Sequence, residues 1–228
     1  MPRSLDTRVS WRTCRHGEKH VKLERYGGAT GIVAVAAIAT QFVLVGTAGT
    51  DAPSLLRARA RWELATLMRV VGGLGIMWFT TGFATRLRRF GFGPAGPTTI
   101  VLGAGLLWGT MWLLSAVFNS VAIAEAVRGG NEWSVSWLSI LGAQTVLVLT
   151  PTLMITFLIA AGVAVLASPT FPRRFGHAAL FFAAVRTVLA LVDWYGGADL
   201  AMRIMDMTLI WVVIASIHLM GATRPVQA

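Results

Sequence analysis

Six apolar stretches, separated by short polar or charged segments, occupy most of this chain of 228 residues. At a helical rise of about 1.5 Å per residue, each stretch can cross, or nearly cross, roughly 30 Å of hydrocarbon. The pattern therefore predicts six membrane-spanning helices. They are Ala29–Thr47, Trp62–Ala84, Pro97–Ala124, Trp137–Ala167, His177–Trp194 and Met205–Ala222.

Composition supports one membrane domain. Hydrophobic residues make up 55% of the chain and charged residues 13%, against about 25% charged residues in ordinary soluble domains. We predict an all-α polytopic membrane helix bundle of residues 29–222, with both termini cytoplasmic. Residues 1–28 form a basic tail that we expect to be disordered or to lie on anionic lipid, and residues 223–228 form a short second tail.

The distribution of basic residues predicts the orientation. With the N-terminus inside, the inner segments hold 13 lysines and arginines and the outer segments hold 5, as the positive-inside rule requires. Without the N-terminal tail the counts are 6 and 5, so the orientation depends on the tail. Aromatic residues favour the same asymmetry, because Trp62, Trp133, Trp137 and Trp194 all fall at the predicted outer interface. A bacterial cytoplasmic membrane fits this arrangement.

Two local signals refine the helix pattern. Asp51-Ala-Pro53 is typical of a helix start, with Asp as the cap and Pro in the first turn, and it predicts a short interfacial helix before the second span. Pro151 lies near the middle of the fourth span and predicts a kink there, with Thr150 or Thr152 available to bond the freed backbone groups.

Five spans carry one uncharged amide or one arginine at a similar depth. Counted from the predicted outer face, these side chains lie about 6 to 8 residues deep, roughly 10 Å along the helices. Polar groups at that depth are costly unless they face each other or a wet cavity. The pattern therefore predicts a ligand-binding layer formed by Gln41, Arg69, Asn119, Gln144 and Arg186.

Three interpretations of this layer remain open at the sequence level. Each arginine can snorkel or pair with an acid at the rim, such as Glu63 or Asp193, and only hold helices together. Two guanidinium groups can instead bind a carboxylate, a phosphate or a lipid headgroup in an outward-facing pocket. A third interpretation is a proton relay through Asp193 or Asp206, because isolated intramembrane carboxylates often titrate.

Histidine and cysteine offer weaker candidates. His177 and His218 fall at the inner ends of neighbouring spans, where bis-imidazole haem ligation would need both inside the bundle. Cys14, His16 and His20 have the ligand types for a metal, but a basic tail is more often solvated chain. We therefore predict no cofactor and no metal site.

Several function classes are disfavoured. The net charge of +10 is explained by topology rather than by nucleic-acid binding. No lysine follows Lys22, which argues against a retinal Schiff base. Walker, HExxH and GxSxG motifs are absent from the sequence, and no catalytic set converges at one depth, so we assign no catalytic residues.

Two stretches carry a family resemblance. They are TRLRRFG at the end of the second span and AAGVAVLASPTFPRRFGHAALF between the fourth and fifth. In these features and their order, residues 27–222 resemble uncharacterised six-span bacterial membrane proteins of the actinobacterial type, a domain-of-unknown-function family. The resemblance implies topology and no activity.

These observations lead to one functional hypothesis and two alternatives. We expect a membrane protein that binds an anionic lipid or small anionic metabolite in an outward-facing polar pocket. The alternatives are a small proton-coupled secondary transporter and a structural subunit that associates with a membrane-protein partner or with further copies of itself.

Overall fold

The computed structural model describes residues 7–45, 51–88, 96–168, 171–196 and 200–221, and all side chains in these ranges except those of residues 7–24, 147, 193–196 and 200–207. These ranges contain helices and no strands, which confirms the all-α prediction. The elements in chain order are α1 Thr7–Val45, α2 Ala52–Arg57, α3 Arg59–Arg88, α4 Pro97–Val127, α5 Glu132–Gln144, a π-helical turn Thr145–Leu149, α6 Thr150–Ala167, α7 Arg173–Gly196 and α8 Leu200–Gly221.

Among the described residues, five segments are long and apolar enough to span a membrane, so the chain is a multi-pass membrane protein. They are Arg25–Val45, Arg59–Arg88, Pro97–Val127, Thr150–Ala167 and Arg173–Val192. The last predicted span falls in α8, whose apolar segment Thr208–Gly221 is shorter. The count of six spans and the cytoplasmic termini therefore stay predictions.

At the N-terminal side of the chain, the sequence made predictions about the basic tail and about the start of α2. Helix α1 begins at Thr7, so the backbone of residues 7–28 is helical, and the prediction that this basic tail is disordered or lies on anionic lipid stays a prediction. Helix α2 begins as predicted, with Asp51 as N-cap, its side chain accepting from the Ser54 N–H, and Pro53 in the first turn. Hydrogen bonds from Ser54 hold the pKa of Asp51 below its ordinary 3.8. Residues 223–228 lie outside the described residues.

The fourth predicted span contains a π-helical turn just before its proline. Helix α5 continues without a break through the π-helical turn into α6, and this turn ends two residues before Pro151. Proline has no N–H to donate to the preceding turn, and a π-helical turn is one known way to accommodate the missing hydrogen bond. Thr145 donates its hydroxyl to Leu141 O at 2.7 Å, whereas Thr150 Oγ1 makes no hydrogen bond within the described part of the chain.

The six long helices form a closed ring. Each contacts the next in the order α1, α3, α4, α6, α7, α8, and α8 returns to α1. Small residues permit the close approaches: a Cβ at Gly73 would lie 2.8 Å from Gly109 O, and a Cβ at Gly109 would lie 2.6 Å from Gly73 O. Glycine in membrane helices commonly serves this purpose.

Two hydrophobic clusters fill the bundle at different heights. The larger one contains an aromatic group, with Phe157 of α6 packed against Phe79, Phe83, Trp108 and Trp211 at centroid distances of 6.0 to 6.4 Å. The smaller one lies where α1 ends and α3 begins, and contains Leu55, Trp62, Ala122, Ile123, Ala126 and Val135. We call this end of the bundle the α2 face; it is the face predicted to be outer.

Candidate functional site

A layer of buried polar side chains lies on the α2-face side of the aromatic group of the larger cluster. On α4, for example, Ser115 and Asn119 lie between Trp112 of the larger cluster and Ala122 of the smaller one. Every helix of the ring contributes at least one such side chain, each less than 9% exposed. We call this set the polar layer; its members are Gln41, Arg69, Ser115, Asn119, Thr150, Arg186 and Thr208.

The position of the layer follows from helix geometry. Ser115 is seven residues from Trp108, and Thr150 is seven residues from Phe157. Seven residues correspond to roughly 10 Å along a helix, so both lie about two turns nearer the α2 face than the aromatic group. Thr208 is one turn from Trp211 in the same direction.

Arg69 joins three helices through Ser115. Its Nη1 donates to Ser115 Oγ at 3.1 Å, and Ser115 Oγ donates in turn to Gly142 O of α5 at 2.7 Å. Both Arg69 and Ser115 are buried, at 7% and 0% exposure. The serine hydroxyl therefore acts as acceptor and donor at once, linking α3, α4 and α5.

Asn119 completes this part of the layer. Its side-chain nitrogen donates to Ser115 O at 2.8 Å, one turn back along α4. Gly142 leaves room for the amide, because a Cβ at that position would lie 2.9 Å from Asn119 Nδ2. The sequence singled out Arg69 and Asn119, and the structure brings them together around Ser115.

Gln41 lies level with Arg69 on the neighbouring helix. Helices α1 and α3 run antiparallel, with Ala34 against Gly75 and Ile38 against Gly72. Gln41 is three residues beyond Ile38, and Arg69 is three residues before Gly72. Both are buried, and neither Gln41 Oε1 nor Arg69 Nε has a hydrogen-bond partner among the described residues.

Arg186 occupies the far side of the ring. It is 4% exposed, and its Nη1 donates to Thr208 Oγ1 of α8 at 3.4 Å. Helix α7 is three places from α3 around the ring, and the two arginines have different described acceptors, Ser115 and Thr208. Both guanidinium groups face the bundle interior, but they bond to different helices.

Gln144 does not share the buried layer. It is exposed on the surface of α5, whose buried residues are Val135, Ser139 and Gly142. Gln144 is two residues from Gly142, and two residues turn a helix by about 200°. The side chains of Asp193 and Asp206, the predicted proton carriers, lie outside the described residues.

Lipid-facing snorkelling does not describe the two arginines, because both are buried within the bundle. Glu63, the rim acid proposed as partner for Arg69, instead accepts from Arg59 Nε at 2.7 Å. Within the described residues, no carboxylate pairs with Arg69.

A groove of about 420 Å³ opens between α3 and α4 at the α2 face. Thr66 in its wall is three residues from Arg69, and Ser120 is next to Asn119. None of the predicted ligand-binding residues lines this groove. Its lining residues are Arg59, Glu63, Thr66, Ser120, Ile123, Ala124, Val127 and Arg128.

The histidines take separate positions. His177 Nδ1 lies 3.0 Å from Arg173 O on its own helix, and the ring of His218 packs against Phe171 and Phe175. The described residues contain no group of three or more His, Cys, Asp or Glu side chains that could hold a metal. The tail set Cys14, His16 and His20 lies outside the described side chains.

Sequence reasoning missed part of the layer. Ser115 was not among the predicted ligand-binding residues, and Thr150 was considered only as a candidate to bond backbone groups freed by Pro151. Thr208 was not considered. Hydroxyl side chains on apolar helices give a weak signal, because they usually bond their own backbone one turn back, as Thr80 and Thr187 do here.

These features define a multi-pass helical membrane protein with a buried polar layer crossing its ring of helices. No family model, curated protein or solved structure matches the chain. The resemblance to six-span bacterial membrane proteins therefore stays a prediction.

Proposed function

We propose that this membrane protein binds an anion at Arg69, within the polar layer. The ligand is an anionic lipid headgroup or a small anionic metabolite, since both present the phosphate or carboxylate oxygens that a guanidinium group binds best.

The observation that carries the proposal is the missing counter-charge of Arg69. The guanidinium is cationic at neutral pH, 7% exposed, within a candidate span, and without a carboxylate partner among the described residues. A buried, uncompensated charge costs several kcal/mol. A bound anion would offset that cost and would accept from Arg69 Nε.

The groove between α3 and α4 supports access from the α2 face. Its wall reaches Thr66, one turn from Arg69, and it carries Arg128 at the rim. Arg59 is already paired with Glu63, so Arg128 adds positive charge that attracts an anion toward the groove.

A structural role is the second candidate, and the hydrogen bonds from Arg69 to Ser115 and from Ser115 to Gly142 favour it. In that case the arginine links α3, α4 and α5 without any ligand. Proton-coupled transport would depend on Asp193 or Asp206 and has no comparable support from the described side chains.

The test compares purified wild-type protein with Arg69→Gln and with Arg61→Gln. Arg61 is exposed on the same helix, so Arg61→Gln changes the charge equally and serves as the matched control. Native mass spectrometry identifies the co-purified anion. Thermal unfolding is then measured with added phosphatidylglycerol in nanodiscs and, separately, with added sodium phosphate in detergent.

We expect wild type and Arg61→Gln to carry the same anion and to be stabilised by one of the two additions, and Arg69→Gln to lose both effects. Stabilisation by the lipid alone identifies a headgroup ligand, and stabilisation by phosphate alone a free metabolite. Arg69→Lys retains the charge and should retain part of the shift. If wild type and Arg69→Gln respond identically, the structural role replaces the proposal.

A further inference from the structure

Helix α5 has two distinct faces. Val135, Ser139 and Gly142 are buried, and α5 packs against α4. A second stripe faces outward at spacings of four, three and four residues, and it consists of Trp133, Trp137, Ile140 and Gln144. Such spacing marks one continuous side of a helix.

Gln144 lies at membrane depth. Gly142, two residues away, accepts a hydrogen bond from Ser115 at 2.7 Å. Ser115 lies well inside the candidate span Pro97–Val127, 12 residues from its end, which is roughly 18 Å along the helix. Gln144 therefore exposes its amide at a level where the surroundings are hydrocarbon.

Three exposed threonines of the spans bond their own helix. Thr40, Thr110 and Thr156 each donate a hydroxyl to the carbonyl four residues earlier, at 2.8 to 2.9 Å. The amide of Gln144 makes no hydrogen bond with any described residue. An amide in hydrocarbon without a partner costs several kcal/mol, so a partner beyond the described residues would remove that cost.

A second copy of the chain meets this requirement. Two copies inserted in the same orientation can be related by a two-fold axis along the membrane normal, which brings identical residues together at identical depth. Glutamine both donates and accepts, so it is complementary to itself across such an axis. A single polar side chain in an otherwise apolar seam is also a known device for fixing oligomeric state and register.

We infer that the chain forms a homodimer through the exposed face of α5, with Gln144 hydrogen-bonded to Gln144 of the partner subunit. Ile140 extends the contact by one turn toward the α2 face. The T-shaped pair Trp133–Trp137, with centroids 5.8 Å apart, lies at the end of this contact nearest the α2 face. This surface is separate from the polar layer, so the dimer does not depend on the anion proposal.

Cysteine crosslinking in native membranes tests the interface. The only native cysteine, Cys14, is replaced by serine, and single cysteines are placed at Ile140, Gln144 and Thr156. A disulfide requires Cα atoms about 4.4 to 6.8 Å apart. We expect oxidation to give a covalent dimer from Ile140→Cys and Gln144→Cys but not from Thr156→Cys, which is exposed on α6.

Stoichiometry in lipid bilayers provides the second measurement. Single-molecule photobleaching should show dimers for wild type, and Gln144→Leu should weaken dimerisation roughly tenfold. Gln144→Asn should weaken it less, because it keeps a donor and an acceptor. Thr156→Val is the matched control and should leave the dimer unchanged.

Three results would overturn the inference. Wild type could be monomeric in bilayers at all protein densities, Thr156→Cys could crosslink as efficiently as Ile140→Cys, or the crosslinked product could contain a different protein. Because Ile140→Cys retains Gln144, the crosslinking result does not depend on a variant that has lost the proposed hydrogen bond.

Discussion

Arg69 Nη1 donates to Ser115 Oγ across 3.1 Å, and the same hydroxyl donates to Gly142 O across 2.7 Å. One serine oxygen thus accepts from a buried guanidinium and connects it to the backbone of a third helix. In a low-dielectric interior such linked hydrogen bonds polarise one another. Ser115 therefore positions Arg69 whether or not a ligand is bound.

Ser115→Ala should destabilise the protein by about 1–3 kcal/mol, because it leaves Arg69 Nη1 and Gly142 O without this partner inside the bundle. Ser120→Ala is the control: Ser120 is exposed and bonds Ala116 O on its own helix, so its loss should cost less than about 0.5 kcal/mol. Unfolding of both variants in the same detergent checks the difference. Equal losses would mean that the link from Arg69 to Gly142 contributes nothing measurable.

Arg186→Leu should destabilise the bundle more than Arg174→Leu. Arg186 is buried and bonds Thr208, whereas Arg174 is exposed on the same helix. Removing one partner of a buried hydrogen bond typically costs about 1–3 kcal/mol, and exposed substitutions cost little. Thermal unfolding compares the two, and a neutral or stabilising Arg186→Leu would show that this arginine holds nothing in place.

Gly109→Ala should separate α3 from α4. Its new Cβ would lie 2.6 Å from Gly73 O, a backbone atom that cannot rotate away. Overpacking of this kind typically costs about 1–3 kcal/mol. Gly103→Ala on the same helix meets nothing within 4 Å and should be neutral or slightly stabilising, because alanine has the higher helix propensity. A Gly109→Ala variant as stable as Gly103→Ala would contradict the close packing of these helices.

The N-cap of α2 should respond to acid. Hydrogen bonds from Ser54 lower the folded-state pKa of Asp51 below 3.8, so the carboxylate stabilises the helix start above the unfolded value. This contribution is lost as the pH falls through the lowered pKa. Hydrogen exchange of a peptide covering residues 51–58 should accelerate there relative to the intrinsic rate. Asp51→Asn keeps a cap without titrating and should show no such step.

The sequence predicted the helix bundle well because hydrophobicity and length report directly on membrane spans. Asp51 and Pro53 also predicted the start of α2 correctly, because an N-cap aspartate followed by a first-turn proline is typical of helix starts. The helical backbone of residues 7–28 was not predicted from the sequence. These residues are mostly polar and basic, and a helix without an apolar face leaves no hydrophobic periodicity in the sequence.

Depth along the membrane was easier to predict than direction around a helix. Gln41, Arg69, Asn119 and Arg186 share a depth and are all buried, whereas Gln144 shares the depth and is exposed. Counting residues from a membrane face fixes height but not rotation. The small residues Ser139 and Gly142, three apart, mark the packed side of α5, and Gln144 lies about 200° from Gly142. That spacing could have predicted that Gln144, unlike the four buried residues, points away from the packed side of its helix.

Orientation in the membrane decides which compartment the α2 face and its groove contact. The 13 and 5 basic residues on the two sides predict that this face is outside. In a Cys14→Ser background, single cysteines at Ser134 and Gly197 should react with an impermeant maleimide in intact cells. Cysteines at Gly93 and Thr170 should react only after the membrane is permeabilised. The opposite pattern would place the α2 face in the cytoplasm, so that an anion would reach Arg69 from inside the cell.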